Sequence, residues 1–211
     1  MNYFAHLVLA EPTAASRFGN LLGDFCHGVD LATLPLAVQA AVARHRAIDR
    51  FTDASPEVRQ ARQLFSARYR RFAPVITDVL WDHLLLVHWP QLDDRPLQPL
   101  CDDIYQQLWQ QRPLMPKKMA ATVTALIEQN WFGHYQQLAG IGGALDNIAK
   151  RLRFSNQFAG SLTEIEQQLL PLTQLFLQFY PKLRQQVIDW GPELAVCYPV
   201  DSDIGSDAES D

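Results

Sequence analysis

Residues 44–53 read Arg44-His45-Arg46-Ala47-Ile48-Asp49-Arg50-Phe51-Thr52-Asp53. They close a longer run, Leu36 to Phe51, whose first half is rich in alanine and valine and carries helical rather than strand periodicity. On a helix, His45 and Asp49 stand about 40° apart around the axis, so imidazole and carboxylate project from one face. That spacing suits two ligands of one cation, and it equally describes an ordinary surface ion pair at i, i+4. The flanking arginines suit an anionic partner. Helical periodicity recurs along the rest of the chain and strand alternation does not, so the expected fold class is all-α.

Upstream, residues 13–27 read as a first helix, opened by Thr13 and stopped by Gly28. Gly19 and Gly23 lie on one side of it, each costing about 1 kcal/mol against alanine. Tight packing of another backbone beside a polar site is the reason such a pair would be kept. Asn20, Asp24 and His27 form the neighbouring stripe. Downstream, Ser55-Pro56-Glu57 opens a third helix running to about Phe72. A fourth, 75–89, carries Asp78, Trp81, Asp82, His83 and His88 and is expected to end at Pro90. Helices near 97–111 and 117–132 follow. Gly140, Gly142 and Gly143 read as punctuation before a helix near 144–153. Pro171 and Pro181 divide a last helical region, 161–190, into kinked segments, and Gly191-Pro192 stops it. The expected organisation is one domain, 1–192, of about eight helices, with residues 193–211 a disordered acidic tail.

The composition is that of a globular protein, 48% hydrophobic and 19% charged, long enough for a sizeable core. The net charge of −5 comes from the end: Asp201, Asp203, Asp207, Glu209 and Asp211 stand there without a basic residue, and the body is neutral overall. Between Arg44 and Arg71, eight arginines face three acids, a local net of +5. This reads either as a salt-bridged solvated face or as a surface that steers a negative partner. No Lys/Arg run interleaved with aromatics points to nucleic acid. The three cysteines, Cys26, Cys101 and Cys197, are too far apart for a thiolate zinc site or a disulfide framework. The apolar Tyr3–Ala10 run lacks a basic flank and carries His6, and nothing approaches a membrane span. A cytoplasmic protein is expected, with no membrane partner and an oligomeric state the sequence leaves open.

Six histidines and many acids offer candidates for chemistry. His6 in an apolar segment reads by itself as a packed core histidine. Asp24, between Leu21-Leu22 and Phe25, needs a partner, because an unpaired buried carboxylate is costly. Asp78 and Asp82 share a helix face and repel unless a cation sits between them. His27, His88 and His134 have no acid at ligand spacing and read as structural or surface residues. Together these residues describe a thiolate-free site of His and carboxylate ligands, which favours Mn²⁺ or Mg²⁺, with iron or zinc as alternatives. A divalent ion so held lowers the pKa of bound water and polarises a phosphoryl oxygen, and nearby arginines bind phosphate oxygens. Metal-assisted phosphoester hydrolysis is the chemistry that fits.

Met1-Asn2-Tyr3-Phe4-Ala5-His6-Leu7-Val8-Leu9-Ala10 also resembles the start of the bacterial acyl carrier protein phosphodiesterases. So do Gly19-Asn20-Leu21-Leu22-Gly23-Asp24-Phe25, His45-Arg46-Ala47-Ile48-Asp49 with Thr52-Asp53, Asp78-Val79-Leu80-Trp81-Asp82-His83, and Phe179-Tyr180-Pro181. The resemblance spans about residues 1–185. It implies a helical fold related to the HD-type phosphohydrolases, a divalent metal usually given as manganese, and hydrolysis of 4′-phosphopantetheine from holo-acyl carrier protein to the apo form. On this reading His6, Asp24, His45, Asp49 and Asp82 ligate or orient the metal. Asp78 and His83 are further ligands or proton-transfer groups, and Asn20, Arg46 and Arg50 contact substrate. The +5 segment then has a role in recruiting an acidic carrier protein. The rivals are an HD-type phosphohydrolase of nucleotides or other small phosphoesters, and a non-catalytic carrier-binding module.

Overall fold

Helix α5, Ala73–Val87, is apolar almost all round, and of the eleven positions from Ile76 to Leu86 all but Asp78, a third exposed, are buried. A helix of that kind belongs in the centre of a bundle, and this one touches α1 (Tyr3–Leu9), α4 (Pro56–Gln63), α6 (Trp89–Leu92), α9 (Trp131–Tyr135), α10 (Leu138–Arg151) and α11 (Leu162–Asp189). The remaining helices are α2 (Ala14–Leu22), α3 (Leu36–Ala54), α7 (Leu97–Gln111) and α8 (Lys117–Glu128). The structure, a computed structural model, describes residues 1–152 and 158–194. Among them it contains these eleven α-helices, three short 3₁₀ turns and no strand. The all-α expectation holds. Most of the helices beyond the expected eight are short pieces that continue or precede an expected one.

The tightest contact in the bundle joins α2 to α3, and the glycine pair makes it. A Cβ on Gly19 would stand 2.5 Å from the Val38 carbonyl oxygen and from the Ala41 methyl; one on Gly23 would stand 2.2 Å from the His45 ring. The missing side chains therefore set the distance at which α3 presents His45. Thr13 caps α2 by accepting from the Ser16 amide, and Gly28, at φ +77°, ends the segment that follows. Helix α2 itself stops at Leu22, and Gly23–Phe25 continue as a 3₁₀ turn that carries Asp24.

Helix α1 is the element that sequence periodicity did not announce. Seven residues are too few to be helical alone. Its first-turn amides, Phe4 and Ala5, donate to the two carboxylate oxygens of Asp82 on α5 at 2.9 and 3.0 Å. Its cap thus comes from a helix far along the chain.

Four further expectations are corrected. Gly140, Gly142 and Gly143 lie inside α10 rather than before it. A Cβ on Gly142 would meet the Leu162 side chain at 2.7 Å, so the glycine is kept for close packing and does not break the helix. Pro171 and Pro181 both sit within one continuous 28-residue helix, α11. Its buried Leu172, Phe176, Phe179 and Tyr180 pack into the core, and that burial outweighs the lost amide bonds. The third helix ends at Gln63, short of the expected Phe72, and Pro90 lies in the first turn of α6, where proline is tolerated.

The end of α11 is held by a buried arginine. Arg44 donates to the carbonyls of Val187 (3.1 Å) and Gly191 (2.6 Å) and lies over the Trp190 ring. Two residues on, Glu193 is buried against α2, accepting from Ser16 Oγ (2.7 Å) and Asn20 Nδ2 (2.8 Å). Residues 195–211, which hold nearly all of the expected acidic tail, lie outside the described residues. No helix among the described residues is long and apolar enough to cross a membrane.

Candidate metal centre

Three elements converge on one polar cluster. Helix α1 contributes His6, α3 contributes His45 and Asp49, and the 3₁₀ turn after α2 contributes Asp24. The His6 and His45 rings stack at 3.9 Å between centroids, 22° from parallel. Asp49 reaches both: Oδ1 lies 3.2 Å from His6 Nε2, and Oδ2 lies 3.1 Å from His45 Nε2. Asp24 Oδ1 stands 3.8 Å from His45 Nε2. The two histidines are buried, whereas the Asp24 and Asp49 side chains are 40% and 41% exposed. The cluster is closed by imidazole on one side and open to solvent through carboxylate on the other.

Its electrostatics suit a cation. Burial, reinforced by the neighbouring His45, lowers His6 to about 3, so its ring is neutral at physiological pH and keeps a lone pair. Partial burial by itself would raise Asp49, but hydrogen bonds and attraction from His45 and His6 hold it well below the usual carboxylate range. The Met1 ammonium already takes advantage of this charge, 3.3 Å from Asp78 Oδ1 and 3.7 Å from Asp49 Oδ1. Burial would weaken that ammonium, yet Asp78 and Asp49 keep its pKa above the ordinary value.

A divalent metal fits the residues present. One atom from each of His6, His45 and Asp49 lies within 4.8 Å of the other two. Nδ1 of His6 and Nδ1 of His45 are buried with no hydrogen-bond partner among the described residues, and His6 Nε2 faces only the Asp49 carboxylate. Buried polar atoms are normally satisfied, and two adjacent imidazoles left short of partners point to a ligand shared between them. The donor set is nitrogen and oxygen without thiolate: Cys26 and Cys101 are free, and neither belongs to the cluster.

The other sequence candidates separate. Asp78 borders the cluster through the Met1 ammonium. Asp82 does not join it. Fully buried, with each oxygen bound to an amide of α1, it holds His6 in place by capping the helix that carries it. Burial raises its carboxyl to about 7, against the pull of those amides. His83 is turned away, with Nδ1 donating to the Tyr135 carbonyl at 2.7 Å. Asn20 is fully buried against Glu193, which removes it from reach of a substrate.

The basic segment is also thinner than its sequence suggests. Arg44 is buried, Arg62 pairs with Asp53, and Arg59 and Arg70 donate to nearby backbone carbonyls. Arg46, beside the Cys26 thiol, and Arg50 stay exposed on α3. Tyr3 is the residue sequence reasoning missed. Its ring lies between Phe25 (6.1 Å) and Trp131 (6.5 Å), and its phenol is pushed up to about 12 by burial and then by Asp24. An aromatic residue three positions before a candidate ligand was the one available signal.

The family model described as acyl carrier protein phosphodiesterase matches residues 1–183, which include every residue of the cluster. The chain belongs to that family. It is 38% identical to the acyl carrier protein phosphodiesterase of Yersinia pestis over 187 residues, covering 88% of this chain and 97% of that one. It is 37% identical to that of Serratia proteamaculans over 190 residues (90% and 98%). With that of Escherichia coli O157:H7 it shares 36% over 187 residues (88% and 97%). No solved structure matches, so kinship with the HD-type phosphohydrolases rests on the sequence resemblance.

One prediction tests how this family member holds His45. Gly23→Ala places a methyl 2.2 Å from the His45 Cγ and Cδ2 atoms. The ring must move, and Mn²⁺ affinity is expected to fall about 10–100-fold, as when a ligand's outer support is lost. Titration of the variant with Mn²⁺ reads this directly; wild-type affinity would show that the ring's place does not depend on the glycine.

Proposed function

We propose that this chain is a metal-dependent phosphodiesterase that hydrolyses the bond between 4′-phosphopantetheine and the carrier serine of holo-acyl carrier protein. The convergence of His6, His45 and Asp49, with buried imidazole nitrogens lacking partners, supports this reading. Membership of the phosphodiesterase family, a hydrolase family, selects the substrate. His6, His45 and Asp49 would hold the ion, Mn²⁺ by preference, with Asp24 at the open side as a further ligand. Bound there, such an ion would lower the pKa of water and neutralise charge on the phosphoryl oxygens.

The chain's own groups do the rest. In the hydrolysis, a water oxygen bonds to phosphorus while the bond from phosphorus to the serine oxygen breaks. The proton lost by the water would pass to a carboxylate at the cluster's mouth, and we assign this to Asp78, a third exposed there. The serine oxygen takes up a proton from solvent as it leaves and becomes a hydroxyl, the carboxylate returns its proton to solvent, and the products are apo-carrier and free 4′-phosphopantetheine. His83 is assigned no role in this reading, because it lies outside the His6–His45–Asp49 cluster and its Nδ1 donates to the Tyr135 carbonyl. Arg46 and Arg50, exposed on the helix that carries His45 and Asp49, would contact the phosphate or the acidic carrier.

The test is direct. Purified protein incubated with holo-carrier and Mn²⁺ should shift the carrier's mass down by one phosphopantetheine. An unchanged mass overturns the reading. Cleavage should also weaken as salt rises, since the carrier contact depends on exposed arginines.

A further inference from the structure

A groove of about 890 Å³ shares the N-terminal segment and helix α5 with the cluster. Helices α8, α9 and α10 form most of it, and Asn2 and Tyr3 of the N-terminal segment and Val79 of α5 close one side. Those last residues tie it to the metal centre. Val79 follows Asp78 in the chain. Tyr3 follows the Met1–Asn2 segment whose ammonium binds Asp78 and Asp49, and its ring spans from Phe25, next to Asp24, to Trp131 on the groove wall.

The groove exists because one face of α10 is small. Gly140, Gly143 and Ala144 lie along it, and Asn147 and Arg151 continue it at helical spacing. The opposite face, Ile141, Leu145 and Ala149, is buried and supports α10 on the core. A Cβ on Gly143 would meet nothing within 4 Å. That glycine serves no close packing; it borders open space.

We propose that this groove receives the pantetheine arm of the substrate, with the phosphate at the His6–His45–Asp49 end. The inference rests on the phosphodiesterase reading of that cluster. Pantetheine is a thin chain in which short alkyl segments alternate with amides. Val79, Ile148 and the Trp131 ring offer apolar contact, and Gln129 and Asn147 offer amide partners along the same wall. The volume lies within the range of small-ligand clefts. A diester's other substituent, the folded carrier, is too large for the groove and would stay on the surface near Arg46 and Arg50.

Gly143→Phe tests the assignment, because it fills open space and puts no strain on the helix. Cleavage of holo-carrier, as kcat/KM, should fall at least tenfold. Hydrolysis of bis(p-nitrophenyl) phosphate, a diester without an arm, and Mn²⁺ affinity should stay within twofold. Undiminished cleavage of holo-carrier by Gly143→Phe overturns the proposal, as does an equal loss on both substrates. Free pantetheine titrated into the wild-type protein should shift the NMR signals of the Trp131 indole and the Gly143 amide, and Gly143→Phe should abolish those shifts. Unmoved groove signals at millimolar pantetheine also overturn it. A wild-type protein that leaves holo-carrier intact yet shows the pantetheine shifts would remove the phosphodiesterase reading and keep the groove assignment.

Discussion

Replacing His45 with alanine is expected to lower release of phosphopantetheine at least about a hundredfold and to shift the melting temperature by only a few degrees. Losing an outer-shell partner of a metal ligand already costs 10–100-fold, and a direct ligand costs more. The small thermal effect follows from the ring's own situation. Its Nδ1 is buried without a hydrogen bond, so the variant gives up chiefly the stack on His6 and the Nε2 contact with Asp49, a partly exposed carboxylate that water can then solvate. Mn²⁺ provides a second readout independent of turnover. At a hundred times its dissociation constant, a ligand specific for the native state adds about 2.7 kcal/mol. The wild-type melting temperature should therefore rise with Mn²⁺, and that of His45→Ala should not. A variant that cleaves holo-carrier at the wild-type rate would remove His45 from the site.

Asp82→Ala should act in the opposite way, on stability before chemistry. The Phe4 and Ala5 amides would lose their acceptors inside the core. Each buried donor left without a partner costs about 1–3 kcal/mol, so a loss of about 2–4 kcal/mol and about 5–15 °C is expected in a domain of this size. Asp82→Asn keeps one acceptor oxygen but turns an NH2 toward the other amide, so it should cost about 1–3 kcal/mol, less than the alanine variant. The carboxyl is raised to about 7 by burial, so its contribution to stability is full below the ordinary carboxylate range and is lost as pH rises toward 7. Thermal melts across that window should show this slope in the wild-type protein and a flatter curve in Asp82→Asn. Full stability of Asp82→Ala together with lost Mn²⁺ binding would return Asp82 to the ligand set.

The contrast between these two residues shows where local patterns stop being informative. His45 and Asp49 are four apart on one helix, and a helix fixes the angle between them, so the pair is legible from spacing alone. Asp78 and Asp82 show the same spacing and invited the same interpretation. What separates the pairs is the neighbour each meets. Asp49 faces a second histidine across helices, and Asp82 faces the amide end of α1. Nothing within ten residues of Asp82 announces that contact.

Glycine shows the same division. At 19 and 23 the cost of two helical glycines implied a close approach beside a polar site, and the Val38 carbonyl and the His45 ring supply it. At 140, 142 and 143 three glycines in four residues resembled a break, yet α10 runs through them, held by its buried face against α5 and α11. The arginines of 44–71 divide similarly. Their count is a property of sequence, but which remain exposed depends on what each can reach, and Arg44 is taken by the end of α11.

By itself the amino-acid sequence determined the helical class, the limits of α3 and α7 to within a few residues, the close glycine packing of α2, and the His–Asp pair, because each depends on periodicity or spacing along a single helix. Tertiary structure decided the rest. It placed His6 against His45, made Asp82 a cap, buried Asn20 and Arg44, and opened a groove beside Tyr3. The physical reason is that these features arise between helices distant in sequence, where side-chain contacts are set by packing and by the need to satisfy buried amides.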